Sequence, residues 1–68
     1  MEREDLLPYT GEFVDIGIPH YIIPDRLFYQ KGILEEIFED EIKLKLDNGV
    51  KIIPLNQIKE IRLLEGSL

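Results

Sequence analysis

His20 is the single histidine of the 68-residue chain, and Asp15 and Asp25 each lie five residues from it. A histidine beside a carboxylate can transfer protons or bind a metal ion when the groups converge. Prolines at positions 19 and 24 interrupt this stretch, so the spacing defines no such geometry. We therefore expect His20 to be a surface or strand-end residue.

A run of carboxylates is the second place where chemistry could occur, at Glu35, Glu36, Glu39, Asp40 and Glu41. Oxygen ligands suit Mg²⁺ or Ca²⁺, but the run lacks the spaced D-x-D-x-D-G pattern of a dedicated loop. It is typical of a solvated turn and strand face. There is no cysteine, no phosphate-binding glycine spacing, and Ser67 lies in the tail. We predict no enzyme activity, no metal and no cofactor.

Four lysines and one tyrosine between residues 29 and 51 favour a different hypothesis, contact with single-stranded nucleic acid. Lys43, Lys45 and Lys51 are expected to share one sheet face, with Tyr29 and Lys31 near them. Aromatic rings stack on bases and cations neutralise phosphates. However, the net charge is −6, which disfavours nucleic acid as a partner. RNA or single-stranded DNA binding therefore remains the alternative function.

The first element that positions these residues is a β-hairpin. Residues 41–46 alternate between apolar and charged side chains, which predicts a strand with one buried face. Asp47, Asn48 and Gly49 supply turn residues before the chain resumes as a second strand.

The register of this hairpin has two alternatives. A two-residue turn sets Leu44 opposite Ile53, whereas a three-residue loop with the glycine in the left-handed position sets Leu44 opposite Ile52. We favour the second register, because it buries Val50 and Ile52 with the leucines of the first strand. It points Ile53 out of the core beside Pro54, where an isoleucine can contact a partner.

The other segments predict more short strands. Residues 12–18 and 21–23 are strand candidates, and residues 26–30 can continue through Gly32 as one long bent strand. The prolines at positions 19 and 24 fit strand ends, with Pro24 beginning a turn. Residues 1–8 are expected to be a loose N-terminal segment.

The tail from Pro54 to Gly66 fits two structures. Its apolar residues suit a helix, but they also suit a tight turn at residues 55–57 followed by a strand from about Ile58 to Leu64. We favour the strand, because the preceding hairpin leaves no room for a separate helical layer.

Together these elements predict one all-β domain over residues 1–68, a five- to six-stranded, strongly bent antiparallel barrel of the SH3/Sm-like kind. Short strands and turns fill residues 9–30, and a meander fills residues 31–64. No apolar run approaches the roughly 20 residues of a membrane span, and the start lacks a signal segment. We expect a cytoplasmic protein with no membrane partner.

The meander resembles Sm-like (LSm/Hfq-like) proteins. The first motif of that family is similar to Gly32, Leu34, Ile37, Phe38, Ile42, Leu44 and Leu46, and the second to the stretch Ile53–Ile61. The resemblance implies a barrel with a short turn before its last strand, and a ring-type oligomer. The family's uridine-contacting positions hold Pro54, Leu55 and Lys43, and residues 1–7 do not predict the family's N-terminal helix.

We therefore expect a non-enzymatic binding or assembly module that pairs through strand edges and apolar contacts with a second copy or another protein. The expected contact residues are Ile53, Pro54, Ile61, Leu63 and Leu64. Docking onto an enzyme through the N-terminal segment is a further hypothesis that the sequence does not separate from self-association.

Overall fold

The computed structural model describes residues 1–23 and 25–64, and these form one five-stranded antiparallel sheet in the order β4-β3-β2-β1-β5. The elements in chain order are α1 (Arg3–Leu6), a 3₁₀ turn (Leu7–Tyr9), β1 (Phe13–Pro19), β2 (Leu27–Ile37), β3 (Glu41–Leu46), β4 (Gly49–Pro54), a second 3₁₀ turn (Leu55–Gln57) and β5 (Glu60–Leu63). The all-β prediction is confirmed. The sheet is open, because no pairing among the described strands joins β4 to β5.

One face of this sheet, the core face, carries the hydrophobic core. Alternate residues of β1 point into it, and the N-terminal helix and second 3₁₀ turn close its open side. The buried residues are Leu6, Val14, Ile16, Ile18, Leu34, Ile42, Leu44, Ile53, Leu55 and Ile58. The opposite side of the sheet, the outer face, carries most of the charged side chains of β1, β2 and β3.

β2 is the long bent strand that the sequence predicts, and it forms the centre of the sheet. Its first part pairs with β1 and its second part with β3, with a register shift between Leu34 and Glu36. A Cβ atom at Gly32 would lie 2.6 Å from the carbonyl oxygen of Lys45. Glycine is therefore favoured at this position, because a side chain would collide with the backbone of β3.

The β3–β4 hairpin is confirmed, but its favoured register is wrong. The turn contains only Asp47 and Asn48, which is neither alternative: it sets Leu44 opposite Lys51 and Ile42 opposite Ile53, one residue away from the favoured register. A shift of one residue exchanges the two faces of a strand. Ile53 is consequently buried, at 1% exposure, whereas Ile52 is 45% exposed on the outer face.

The N-terminal segment, expected to be loose, instead forms α1 and packs on the core. Leu6 is completely buried, and the amino group of Met1 donates hydrogen bonds to the carbonyl oxygens of Leu55 (3.1 Å) and Ile58 (3.3 Å). At the start of the helix, the N–H of Glu2 donates a hydrogen bond to the Asp5 carboxylate at 3.2 Å, and the N–H of Asp5 donates to the carbonyl oxygen of Glu2 at 3.1 Å. These contacts tie the chain's beginning to the connection between β4 and β5.

The tail adopts the favoured turn-and-strand structure, and β5 pairs with β1 so that Ile61 lies opposite Ile16. The strand predicted at 21–23 is wrong, because these residues form a bend between β1 and β2. The predicted turn residue Pro24 and the tail residues Gly66 and Ser67 lie outside the described part of the chain.

Candidate assembly and binding surfaces

The two edges of the sheet are the most prominent candidate surface. Within the described residues, β4 pairs only with β3, and β5 pairs only with β1. Each strand therefore has one side whose backbone N–H and C=O groups are available to another strand. Such edges are where sheets extend by adding a strand from a second chain.

Exposed apolar side chains accompany both edges. On β4, Val50 is 56% exposed and lies with Ile52 on the outer face; on β5, Leu63 is 55% exposed on the core face. Ile61 is half-buried against the core. Apolar side chains next to unpaired backbone are typical of a contact between chains.

Not all of the predicted contact residues are exposed in the structure. Ile53 is a core residue, so its predicted role as an exposed contact is wrong, and Pro54 after it is exposed. Leu64 is half-buried, and its N–H donates to the carbonyl oxygen of Phe13 at 2.9 Å. Ile52 is not among the predicted contact residues, because the register favoured from the sequence buries it.

A polar network on the outer face joins β2 to β5 across β1. Gly17 leaves room for it, since a Cβ atom there would lie 3.1 Å from the Tyr29 ring and 3.2 Å from the Glu60 side chain. The Tyr29 hydroxyl donates a hydrogen bond to the Glu60 carboxylate at 2.6 Å. This hydrogen bond is the main reason that the pKa of Tyr29 is raised above its ordinary value.

An ion pair completes this network. Arg62 donates to Oδ2 of Asp15 at 3.0 Å, and its guanidinium lies 4.9 Å from the centre of the Tyr29 ring. Asp15 is buried, and its Oδ1 has no hydrogen-bond partner among the described residues. The network fixes β5 against β1 and β2, because Arg62 pairs with Asp15 of β1 and Glu60 accepts a hydrogen bond from Tyr29 of β2.

His20 directly follows β1, the strand-end position that the sequence predicts, and it holds the bend together. Its Nδ1 accepts hydrogen bonds from the backbone N–H groups of Ile22 (3.2 Å) and Ile23 (3.1 Å). Its ring stacks on Tyr21 at 5.8 Å. The Asp15 carboxylate is paired with Arg62.

The predicted lysine patch is divided between the two faces. Lys31, Lys43 and Lys45 lie on the outer face, and Lys43 is 3.7 Å from Glu35. Lys51 lies on the core face, because it is opposite Leu44, and its Nζ is 5.9 Å from the centre of the Phe28 ring. The shared face predicted for Lys43, Lys45 and Lys51 is therefore wrong.

The carboxylates at the β2–β3 turn line a shallow cleft against the N-terminal segment. Its walls come from residues 1–4, 39–41 and 54–56. In the part of the chain that the structure describes, no group of three or more His, Asp or Glu side chains is arranged to hold a metal ion.

The fold thus defines a small all-β protein with one open antiparallel sheet and a four-residue helix. Comparison with protein-family models, curated proteins and solved structures finds no match to this chain. Across residues 1–23 and 25–64, no helix has the length and apolar character needed to cross a membrane.

Proposed function

We propose that this protein is a non-enzymatic assembly module whose copies join by pairing the free edge of β4 in one copy with the free edge of β5 in the next. The observation that carries this proposal is the pair of open edges, each next to an exposed apolar side chain. Hydrogen bonds between main chains supply the pairing, and Val50, Ile52 and Leu63 supply apolar contact.

The position of the edges favours a ring over a simple dimer. β4 and β5 are different surfaces at opposite ends of the strand order, so a contact between them is heterologous. Heterologous contacts close into rings when the rotation between copies divides a full turn. A chain of 68 residues buries little surface by itself, and assembly adds to its stability.

The resemblance to Sm-like proteins supports the same proposal. The short turn before the last strand and the N-terminal helix are both features of that family, and this chain has a 3₁₀ turn at Leu55–Gln57 and a helix at Arg3–Leu6. The proposal concerns assembly alone, because the family's uridine-contacting positions hold other residue types in this sequence.

Light scattering behind a sizing column, at several protein concentrations, tests the proposal directly. We expect a stable species whose mass is a multiple of the 8.0 kDa chain. A protein that remains monomeric over the whole concentration range overturns the proposal.

A pair of charge substitutions then tests which surface is involved. Ile52→Lys places a cation on the edge strand β4 and should dissociate the assembly without unfolding the chain. Leu7→Lys is the matched control, because Leu7 is 44% exposed and lies in the first 3₁₀ turn, outside the sheet. An Ile52→Lys variant that keeps its assembly state, or equal dissociation by both variants, contradicts the edge contact.

Nucleic-acid binding gains less support from the geometry. Lys51 is separated from the outer-face lysines, and the Tyr29 hydroxyl is already bonded to Glu60. Titration of a fluorescent single-stranded oligonucleotide at low salt tests this alternative, which requires steeply salt-dependent binding. Absence of binding at low salt eliminates it.

A further inference from the structure

The turn between β3 and β4 brings together two residues that can react with each other, Asn48 and Gly49. Both are exposed to solvent. The side-chain amide of an asparagine has an electrophilic carbon, Cγ, which the backbone nitrogen of the next residue can attack. A side chain on that next residue crowds the attacking nitrogen, so glycine is the residue that hinders the attack least.

The structure leaves space for this reaction at the tip of the hairpin. A Cβ atom built on Gly49 would have no atom within 4 Å outside its two chain neighbours. Gly49 is opposite Leu46 in the pair that flanks the turn, so the attack requires this pair to open. Exposed turns open locally at a low cost in free energy. The native fold therefore slows the reaction without preventing it.

We propose that Asn48 is a site of spontaneous deamidation. The backbone nitrogen of Gly49 forms a bond to Cγ of Asn48, and the bond from Cγ to Nδ2 breaks. The departing NH₂ group takes up the proton that the Gly49 nitrogen loses, and it leaves as ammonia. This step closes a five-membered succinimide ring between the two residues.

Water then opens the ring at either of its two carbonyl carbons, giving its hydroxyl to the carbon and its hydrogen to the Gly49 nitrogen. Cleavage of the bond to Cγ leaves an ordinary aspartate at position 48. Cleavage of the bond to the backbone carbonyl carbon leaves isoaspartate, whose main chain runs through Cβ and Cγ. Water is the one co-reactant, so neither product requires an enzyme or a cofactor.

The two products affect the hairpin differently. Aspartate keeps the normal backbone and adds a carboxylate to the shallow cleft that Asn48 shares with Lys31. Isoaspartate adds one atom to the main chain of a two-residue turn, and this turn sets which face of β4 is buried. We therefore expect isoaspartate to weaken the pairing of β3 with β4, and aspartate to preserve it.

Asn56 is a matched control within the same molecule. The sequence contains two asparagines, and Asn56 is also exposed, in the second 3₁₀ turn. It is followed by Gln57, whose side chain crowds the attacking nitrogen. The two asparagines thus share solvent exposure and differ in the residue that follows them.

Peptide mapping by mass spectrometry tests the proposed site. The full chain is incubated in mildly alkaline buffer, with and without concentrated urea, and conversion of each asparagine is followed over time. In the folded protein we expect conversion at Asn48 to exceed that at Asn56 many-fold, with both aspartate and isoaspartate among the products. Gly49→Ala should slow conversion of Asn48 in urea, where strain in the folded turn has no influence.

Equal conversion of Asn48 and Asn56 in the folded protein overturns the proposal. Conversion of Asn48 in urea but not in buffer also overturns it, because the native turn then blocks the reaction. The effect on the hairpin is tested by urea unfolding of the separated products. The isoaspartate form should unfold at lower urea than Asn48→Asp, and equal midpoints would refute the weakened pairing while leaving the site of modification intact.

Discussion

Two adjacent isoleucines allow a sharp test of the hairpin register. Ile53 is 1% exposed and Ile52 is 45% exposed, although both are in the same strand. Ile53→Val removes one methylene from the core and should cost about 0.5–1.5 kcal/mol of unfolding free energy. The same change at Ile52 removes a methylene that is largely in water, so its cost should stay within about 0.5 kcal/mol.

These energies are large enough to measure and small enough to leave the protein folded. A chain of this length is expected to have a total stability of about 3–10 kcal/mol. In a domain of 60–100 residues, each kcal/mol shifts Tm by about 4–8 °C. Ile53→Val should therefore lower Tm by about 2–12 °C, and Ile52→Val should lower it by about 4 °C at most.

Thermal and urea unfolding followed by circular dichroism would measure both variants against the wild type. The comparison should be made at several protein concentrations, because assembly makes Tm depend on concentration. The urea m-value should be unchanged if the two variants unfold from the same compact state. A larger loss at Ile52 than at Ile53 would refute the register and restore the one favoured from the sequence.

Three further substitutions test other parts of the structure. Gly32→Ala should cost about 1–3 kcal/mol in urea unfolding, because its Cβ would lie 2.6 Å from a backbone oxygen of β3. Arg62→Ala should cost about 1–3 kcal/mol in the same assay, because the buried Asp15 carboxylate loses its charged partner. Glu60→Ala should lower the pKa of Tyr29 toward the ordinary 10.0, measured as tyrosinate absorbance against pH. Because the pKa of Tyr29 is raised in the folded state, its hydrogen bond to Glu60 stabilises the fold fully below pH 10. This stabilisation is lost as the pH rises through the folded-state pKa of Tyr29.

Each of these expectations has a clear contrary result. Gly32→Ala with wild-type stability would show that β3 can move away from β2 at no cost. An Arg62→Ala variant as stable as wild type would mean that Asp15 finds another partner. If Glu60→Ala leaves all three tyrosine titrations unchanged, the hydrogen bond to Tyr29 does not control that ionisation.

Much of the sheet was predictable because its strands carry local patterns. Alternation in Glu41–Leu46 predicts β3, and Gly32 favours a strand over a helix in β2. The hairpin register was not predictable, because Asp47, Asn48 and Gly49 suit several turns whose energies are similar. One residue of difference in that turn decides which isoleucine is buried.

The candidate surfaces were harder to predict than the strands. Which strands have a free edge depends on the strand order of the sheet, and no local sequence pattern encodes that order. The sequence did predict β5 itself, because a strand was favoured over a helix for the tail. The polar network was missed, because Tyr29, Glu60 and Arg62 meet only when β1 lies between β2 and β5. The glycine at position 17 was a sequence feature that could have suggested the crossing, since glycine in a strand allows close approach.

The pairing of β5 with β1 has a consequence for the order of folding. β1 to β4 are joined to their sheet neighbours by consecutive connections, whereas the Arg62–Asp15 contact joins residues 47 positions apart in sequence. Contacts at such separation must first repay the entropy of closing a long loop. We expect the four-stranded part to form first and β5 to dock last, so that β5 amides exchange with deuterium before those of β2 and β3. Slower exchange in β5 than in β2 would show that the last strand is instead part of the folding nucleus.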